Sequence, residues 1–282
     1  MRVRYEFGSR HTGHIENIAK QRKKYPDIVA NLIQISDIIL EVLDARFPQE
    51  TRNLEIEEEI LNMGKKIIYV LNKADMVEDL AKKKEQLKEM KLYPYVLVSC
   101  RSRVGSNELR EKIKIEAKRV ELPHGEMKRV QVGIIGYPNT GKSSLINFLT
   151  GRSAAKVGAE AGFTKGLQKV KLTQDILVLD TPGVIPQKEY SASDKLAASK
   201  HAKVNARDYS KVRSPDFVVA KLMEEYPEQI EKFYGVDVHG NSDELIQIIG
   251  HRRNMLKKGG VIDEDKAARV ILKDWQEGKI KT

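Results

Sequence analysis

One cysteine, Cys100, stands in a chain of 282 residues. With no second thiol there is no intrachain disulfide, which excludes a disulfide-stapled scaffold and fits a reducing compartment. Nowhere do eighteen apolar residues run together, so the sequence offers no membrane span. The opening Met1-Arg2-Val3-Arg4-Tyr5-Glu6 lacks the apolar stretch of a secretory leader. Aromatic residues are scarce, at 6% with a single tryptophan, while Lys and Glu abound, a composition that leans toward a thermophile. There is no internal repeat and no low-complexity tract. The expectation is a cytoplasmic chain with no membrane partner. Nothing in the pattern asks for an obligate dimer, so a monomer is expected.

What is present is a globular composition with a basic bias. Apolar residues make up 40% and charged ones 32%, enough for a core, and the length suits one or two domains. The formal net charge is +10, and it is unevenly placed. Residues 1–24 hold seven basic side chains against two acidic ones, and residues 195–213 hold six against one, so these two stretches account for all of it. Charge clustered in this way fits a polyanion such as RNA, although a solvated helix face would read the same.

Apolar periodicity predicts a basic N-terminal helix over 14–35, then short apolar runs alternating with helices. Strands are expected at Ile38–Leu43, Ile67–Leu71, Tyr95–Val98, Val130–Ile135 and Ile176–Leu179. Helices are expected at 50–63, 78–90, 106–118 and from Lys142 to Leu149. That alternation predicts a mostly parallel sheet with helices on both faces, and ligands beyond the carboxyl ends of its strands. Asp44, Asn72, Ser99, Gly136 and Asp180 fall at those ends. From about residue 190 strand-like runs vanish. Asp263 is placed to cap a final helix stopped by Gly278. The division expected is 1–190 for the α/β domain and 191–282 for a small all-α domain that binds RNA.

Gly136-Tyr137-Pro138-Asn139-Thr140-Gly141-Lys142-Ser143 is a complete phosphate loop, set between a strand and a helix. Its backbone N–H groups and the helix N-terminus suit phosphate, with Asn139, Thr140, Gly141 and Ser144 alongside. Lys142 is expected at the β- and γ-phosphates and Ser143 at Mg²⁺. Asp180-Thr181-Pro182-Gly183 follows an apolar strand, which suits a Mg²⁺ contact by Asp180 and a γ-phosphate contact by the Gly183 N–H. Asn72-Lys73-Ala74-Asp75 ends another strand. The Asp75 carboxylate offers two acceptors for the N1–H and N2–H₂ donors of guanine, a pair that adenine lacks. Asn72 is expected to tie this loop to the phosphate loop, with the Lys73 stem over one face of the base. Ser99-Cys100-Arg101 follows the next strand. Either the Cys100 N–H meets guanine O6, or the segment is a loop with a small buried thiol.

These motifs stand in an unusual order, with Asn72–Asp75 and Ser99–Arg101 ahead of Gly136–Ser143, Thr164 and Asp180–Gly183. The chain therefore resembles the circularly permuted GTPases of the YlqF/RbgA type, which act in large-ribosomal-subunit assembly. The resemblance includes Asp44-Ala45-Arg46 with Pro48, Gly13-His14, and the stretch from Tyr234-Gly235-Val236 to Ile280. It implies a P-loop GTPase three-layer α/β fold in permuted order plus a small all-α C-terminal domain. It also implies a slow switch that binds GTP or GDP and partners the large ribosomal subunit or its rRNA. Val184 follows Gly183 where many GTPases carry a water-orienting glutamine. The resemblance assigns help with hydrolysis to His14, matching a histidine in an N-terminal Gly-His motif, or to K⁺ held by Asn139. Thr164 is the implied switch threonine at Mg²⁺. A surface histidine and a turn-forming asparagine are the plainer alternatives. A GTP-dependent RNA-binding scaffold with little hydrolysis is the rival function.

Overall fold

The computed structural model describes residues 28–120, 129–151, 168–180 and 195–282. Its frame is a six-stranded sheet in the order β3-β2-β1-β4-β6-β5. Strand β1 (Ile38–Asp44) lies centrally, parallel to both β2 (Lys66–Asn72) and β4 (Val130–Gly136). Strand β3 (Tyr95–Leu97) extends the β2 side, and β6 (Ile176–Asp180) lies parallel beyond β4. These are the apolar runs seen in the sequence, and they are continuous because a parallel sheet is covered on both faces. Strand β5 (Gln168–Lys171) was not anticipated. It is a four-residue antiparallel edge with Lys169 and Lys171 exposed and Val170 buried between them, so it carries almost no apolar signal.

Alternation along β1 sends Ile38, Leu40 and Val42 to one face and Ile39 and Leu43 to the other. The first face packs on α5 (Ser106–Ala117) through Leu109 and Ile113, and on α6 (Lys142–Thr150) through Leu145 and Ile146. The second packs on α1, helical over 28–35, on α3 (Leu54–Asn62) and on α4 (Leu80–Glu89) through Leu32, Ile33, Ile60 and Leu87. The result is a three-layer α/β/α arrangement. The rest of the helix expected over 14–35 lies outside the described residues.

The helix expected over 50–63 is instead two helices, α2 (Pro48–Thr51) and α3, separated by extended Arg52. The cause is tertiary. The Asn53 N–H leaves the helical ladder to reach Glu41 Oε1 at 3.0 Å, while the Asn53 side chain accepts from the Ile56 N–H. Residues 195–282 add no strand to the sheet and fold as α7 (Lys195–Lys203), α8 (Pro215–Glu225), α9 (Pro227–Tyr234), α10 (Ser242–Arg252) and α11 (Glu264–Gln276), with one isolated bridge between Leu256 and Ile262. Asp263 caps α11 by accepting from the Lys266 N–H, and Gly278 leaves it at φ +69°. Their core is a third apolar cluster centred on Trp275, into which Phe47 and Tyr137 of the α/β part insert. No helix among the described residues is long and apolar enough to cross a membrane.

Glu41 is the anomaly in this core, a fully buried carboxyl on the central strand. Burial, and then the negative charge of Glu57, push its pKa well above the usual range. A raised folded pKa means the folded state holds the proton, so this group's contribution falls as pH rises from its unfolded value toward the folded one. Glu41→Gln keeps an acceptor for the Asn53 N–H and cannot ionise. Denaturant unfolding at pH 5 and pH 8 is expected to show the variant gaining on the parent at the higher pH, by up to about 1.4 kcal/mol per pH unit within that window. Equal stability differences at the two pH values contradict this account.

Candidate functional site

The carboxyl ends of β1, β2 and β4 finish together, with Asp44 beside Asn72 and Val42 beside Gly136. The phosphate loop bridges β4 to α6 across this edge. Gly136 has φ +147° and Gly141 φ +98°, and a Cβ would strike the Val42 carbonyl at the first and the Asn72 amide at the second. Only glycine fits either position. Lys142 is buried, with its ammonium donating to the carbonyls of Gly136 (3.0 Å) and Tyr137 (2.8 Å). The Thr140 hydroxyl donates to the same Tyr137 carbonyl at 2.9 Å. Lys142, Ser143 and Ser144 form the first turn of α6, where backbone N–H groups lack helical partners and face the loop.

Asn72 joins the loops. Its Nδ2 donates to the Thr140 carbonyl at 2.8 Å, and its Oδ1 accepts from the Cys100 N–H at 3.3 Å. That N–H, expected at guanine O6, is engaged within the protein. The Ser99 hydroxyl donates to Asp75 Oδ1 at 2.6 Å and accepts from the Ser102 N–H at 2.9 Å, orienting the Asp75 carboxylate. Burial, and then the Asp75 charge, push the Cys100 thiol up to about 12, so it stays protonated and unreactive.

Lys73 takes φ +65°, and its ammonium pairs with Asp44 Oδ2 at 2.8 Å. Asp44 is fully buried and also receives Arg46 in a fork, Nε to Oδ1 at 3.0 Å and NH2 to Oδ2 at 2.8 Å. Burial raises the Asp44 pKa, but the charges of Arg46 and Lys73 outweigh it and hold the carboxyl well below its usual range. The sequence marked Asp44-Ala45-Arg46 without giving it this task, because its ion partners are set by the β1–β2 register.

Asn72, Lys73, Cys100, Arg101, Gly141 and Ser144 line one cleft of about 520 Å³. The same cleft is lined from the helical region by Asn205, Asp208, Tyr209, Gln276 and Glu277. Sequence reading assigned none of these to the cleft, since no local motif marks them. The basic stretch 195–213 also needs correction at Lys203. This lysine is buried, bonded to Glu50 (2.9 Å) and Glu225 (2.6 Å), and so is not a surface charge. Lys211 and Arg213 remain exposed. His14, Thr164 and Gly183 lie outside the described residues. Asp180 closes β6, whose pairing with β4 brings that strand end to the phosphate-loop side of the sheet. Among the described residues no group of three or more His, Cys, Asp or Glu is gathered to hold a metal.

Asp44→Asn leaves Arg46 buried without its counter-ion. The expected cost is about 3–5 kcal/mol in unfolding free energy. Because the folded pKa is depressed, this contribution is fully present above the unfolded value of 3.8 and is lost only as pH falls through the folded one. The deficit measured by denaturant unfolding should therefore be the same at pH 5.5 and pH 8. A deficit that shrinks between these values contradicts the assignment.

The model of the 50S ribosome-binding GTPase family matches residues 131–251. The chain is 42% identical over 265 residues to an uncharacterized GTP-binding protein of Methanocaldococcus jannaschii, covering 92% of this chain and 67% of that one. It is 32% identical over 282 residues to ribosome biogenesis GTPase A of Priestia megaterium, covering 94% and 93%. It spans about half the length of the plant and mouse relatives it matches. Among solved structures, GNP-bound YlqF from T. maritima superposes with a TM-score of 0.64 at 23% identity, over 92% of this chain and 95% of that one, a likeness of fold. Strand ends drawn from both sides of the phosphate loop, meeting in one cleft, agree with that kinship, and the chain belongs to the circularly permuted GTPases of the YlqF/RbgA type.

Proposed function

We propose that this GTPase binds GTP in the cleft between Asn72 and the phosphate loop, hydrolyses it slowly, and uses the change as a switch in large-ribosomal-subunit assembly. The observation that carries the reading is the Asn72 side chain, which bonds the Thr140 carbonyl of the phosphate loop and the Cys100 backbone together. Asp75, oriented by Ser99, takes the N1–H and N2–H₂ edge of guanine. The Lys73 stem, drawn along the cleft by Asp44, lies on one face of the base. Lys142 exchanges its two carbonyl partners for β- and γ-phosphate oxygens, a ready trade for an ammonium already held in place.

GTPases of this kind work with Mg²⁺. The donors on this chain fit it: the Ser143 hydroxyl, the Asp180 carboxylate and Thr164 are hard oxygens, and Mg²⁺ takes few protein ligands beside phosphate and water. When bound, the ion neutralises charge developing on the phosphates. Val184 offers no hydrogen bond to the attacking water, so we assign that water to His14, with a K⁺ ion at Asn139 as the alternative aid. We assign the large subunit as partner; the description of the matching family as 50S ribosome-binding supports this, and the Priestia megaterium relative's name supports a role in ribosome biogenesis. Rather than all of 195–213, the exposed Lys211 and Arg213 are the part of that stretch we assign to rRNA. In this reading residues 1–190 form the GTPase domain and 191–282 the RNA-binding one, in a monomeric cytoplasmic protein.

Labelled GTP, GDP, ATP and XTP titrated against the wild type and Asp75→Asn test the site. The wild type is expected to bind GTP and GDP but not ATP. The variant should lose GTP affinity by about 100-fold or more and gain XTP, since an amide cannot accept from both donors of guanine. Unchanged preference in the variant would refute guanine recognition by Asp75. With purified large subunits added, turnover should rise steeply and the rise should be lost in His14→Ala. Equal subunit binding with GDP and GTP, and no stimulation, favours the scaffold instead.

A further inference from the structure

Two loops of the cleft, and the loop after β1 that carries Arg46, each reach a backbone carbonyl of the helical region. Arg46 NH1 donates to the Trp275 carbonyl at 3.2 Å, Arg101 NH1 to Glu277 at 3.4 Å, and Asn139 Nδ2 to Asn205 at 2.8 Å. Trp275 lies in the last turn of α11 and Glu277 caps it; the helix dipole is negative there, so two guanidinium groups are well placed, the Trp275 carbonyl also accepting from the Gly278 N–H at 3.1 Å. Asn205 follows the end of α7 in the left-handed region at φ +63°.

Gln276 makes these carbonyls one wall. Its buried amide donates to the Ala202 (2.8 Å) and Arg207 (2.9 Å) carbonyls and accepts from the Tyr209 N–H (3.0 Å). The segment 202–209 is thereby clipped to the end of α11. Lys73, Cys100, Arg101 and Ser144 line the same cleft, with Arg101 bonded directly to this wall. Neither Lys142 and Ser143, at the phosphate end, nor Asp75 lines it, whereas Lys73 and Cys100 of the base-side loops do.

We propose that the helical region is itself part of the guanosine-binding site, with Tyr209 and Glu277 closing the base and ribose end of the cleft that Lys73 also lines. This rests on the reading of the cleft as a guanine-nucleotide site. Because the wall faces guanosine and not the terminal phosphate, nucleotide binding and seating of the helical region strengthen each other equally for GDP and GTP. This coupling is separate from any switch carried by residues 181–194, which would respond to the γ-phosphate alone.

The test uses the full chain with fluorescent GDP and a non-hydrolysable fluorescent GTP analogue. Tyr209→Ala, at a half-buried position, is expected to weaken both by about tenfold and by the same factor. An effect on neither nucleotide, or on the triphosphate alone, overturns the proposal. Gln276→Ala removes three hydrogen bonds, one of them fully buried, and endangers the fold, so the second readout is amide exchange in the unmodified chain. Saturating GDP should slow exchange at Tyr209 and at Gly278–Lys279 at least fivefold. Slowing confined to residues 72–75 and 139–144 overturns the proposal. A wild type that binds no GDP refutes the nucleotide reading itself, whereas GDP binding without a response of the wall refutes only this inference.

Discussion

A single amide, the side chain of Asn72, bonds two loops that the chain order sets far apart. Its nitrogen serves the phosphate loop 68 residues downstream and its oxygen the Ser99–Arg101 loop 28 residues downstream. Gly141 has no side chain where a Cβ would displace that amide. The permuted chain order is therefore compatible with a single cleft, because the cleft is made of strand ends. Strand ends are placed by sheet register, and the sequence order of the strands alters only the connections around them.

Asp44 extends this assembly toward the helical region. Its carboxylate holds Lys73 on the cleft side and Arg46 on the other, and Arg46 stacks over Phe47 while reaching the end of α11. Phe47 lies against Trp275 with ring centroids 5.8 Å apart, and Tyr226 meets Trp275 at 5.0 Å. The indole N–H is satisfied by the Lys203 carbonyl at 3.0 Å. Packing dominates this junction. Exposed ion pairs such as Lys232 with Glu78 are screened by solvent, whereas emptying a buried tryptophan site costs about 3–5 kcal/mol. The charged groups set orientation, and the aromatic cluster supplies most of the holding energy.

The parts legible in the sequence are those whose constraint is local. Strands β1, β2 and β4 announce themselves because both faces are covered. Gly136 and Gly141 stand where the backbone needs positive φ, which is why the phosphate loop reads as a motif. Asp263 caps α11 as its position suggests. What sequence could not show depends on distant partners. Asn53 breaks the second helix because its N–H is claimed by Glu41 in a strand. Lys203 looks like surface charge until Glu50, 153 residues away, is brought beside it. Tyr209 is held at the cleft by Gln276 and Arg269 from α11, contacts for which no spacing rule exists.

The claim beneath all of this is that one guanosine triphosphate spans segments read out of their usual order. A crystal structure of the full chain with a non-hydrolysable GTP analogue and Mn²⁺ in place of Mg²⁺ tests it directly. The account predicts an anomalous manganese peak beside the Ser143 hydroxyl and the guanine edge within hydrogen-bond reach of Asp75. A nucleotide whose phosphates occupy the loop while its base points away from Asn72 and Asp75 would contradict it.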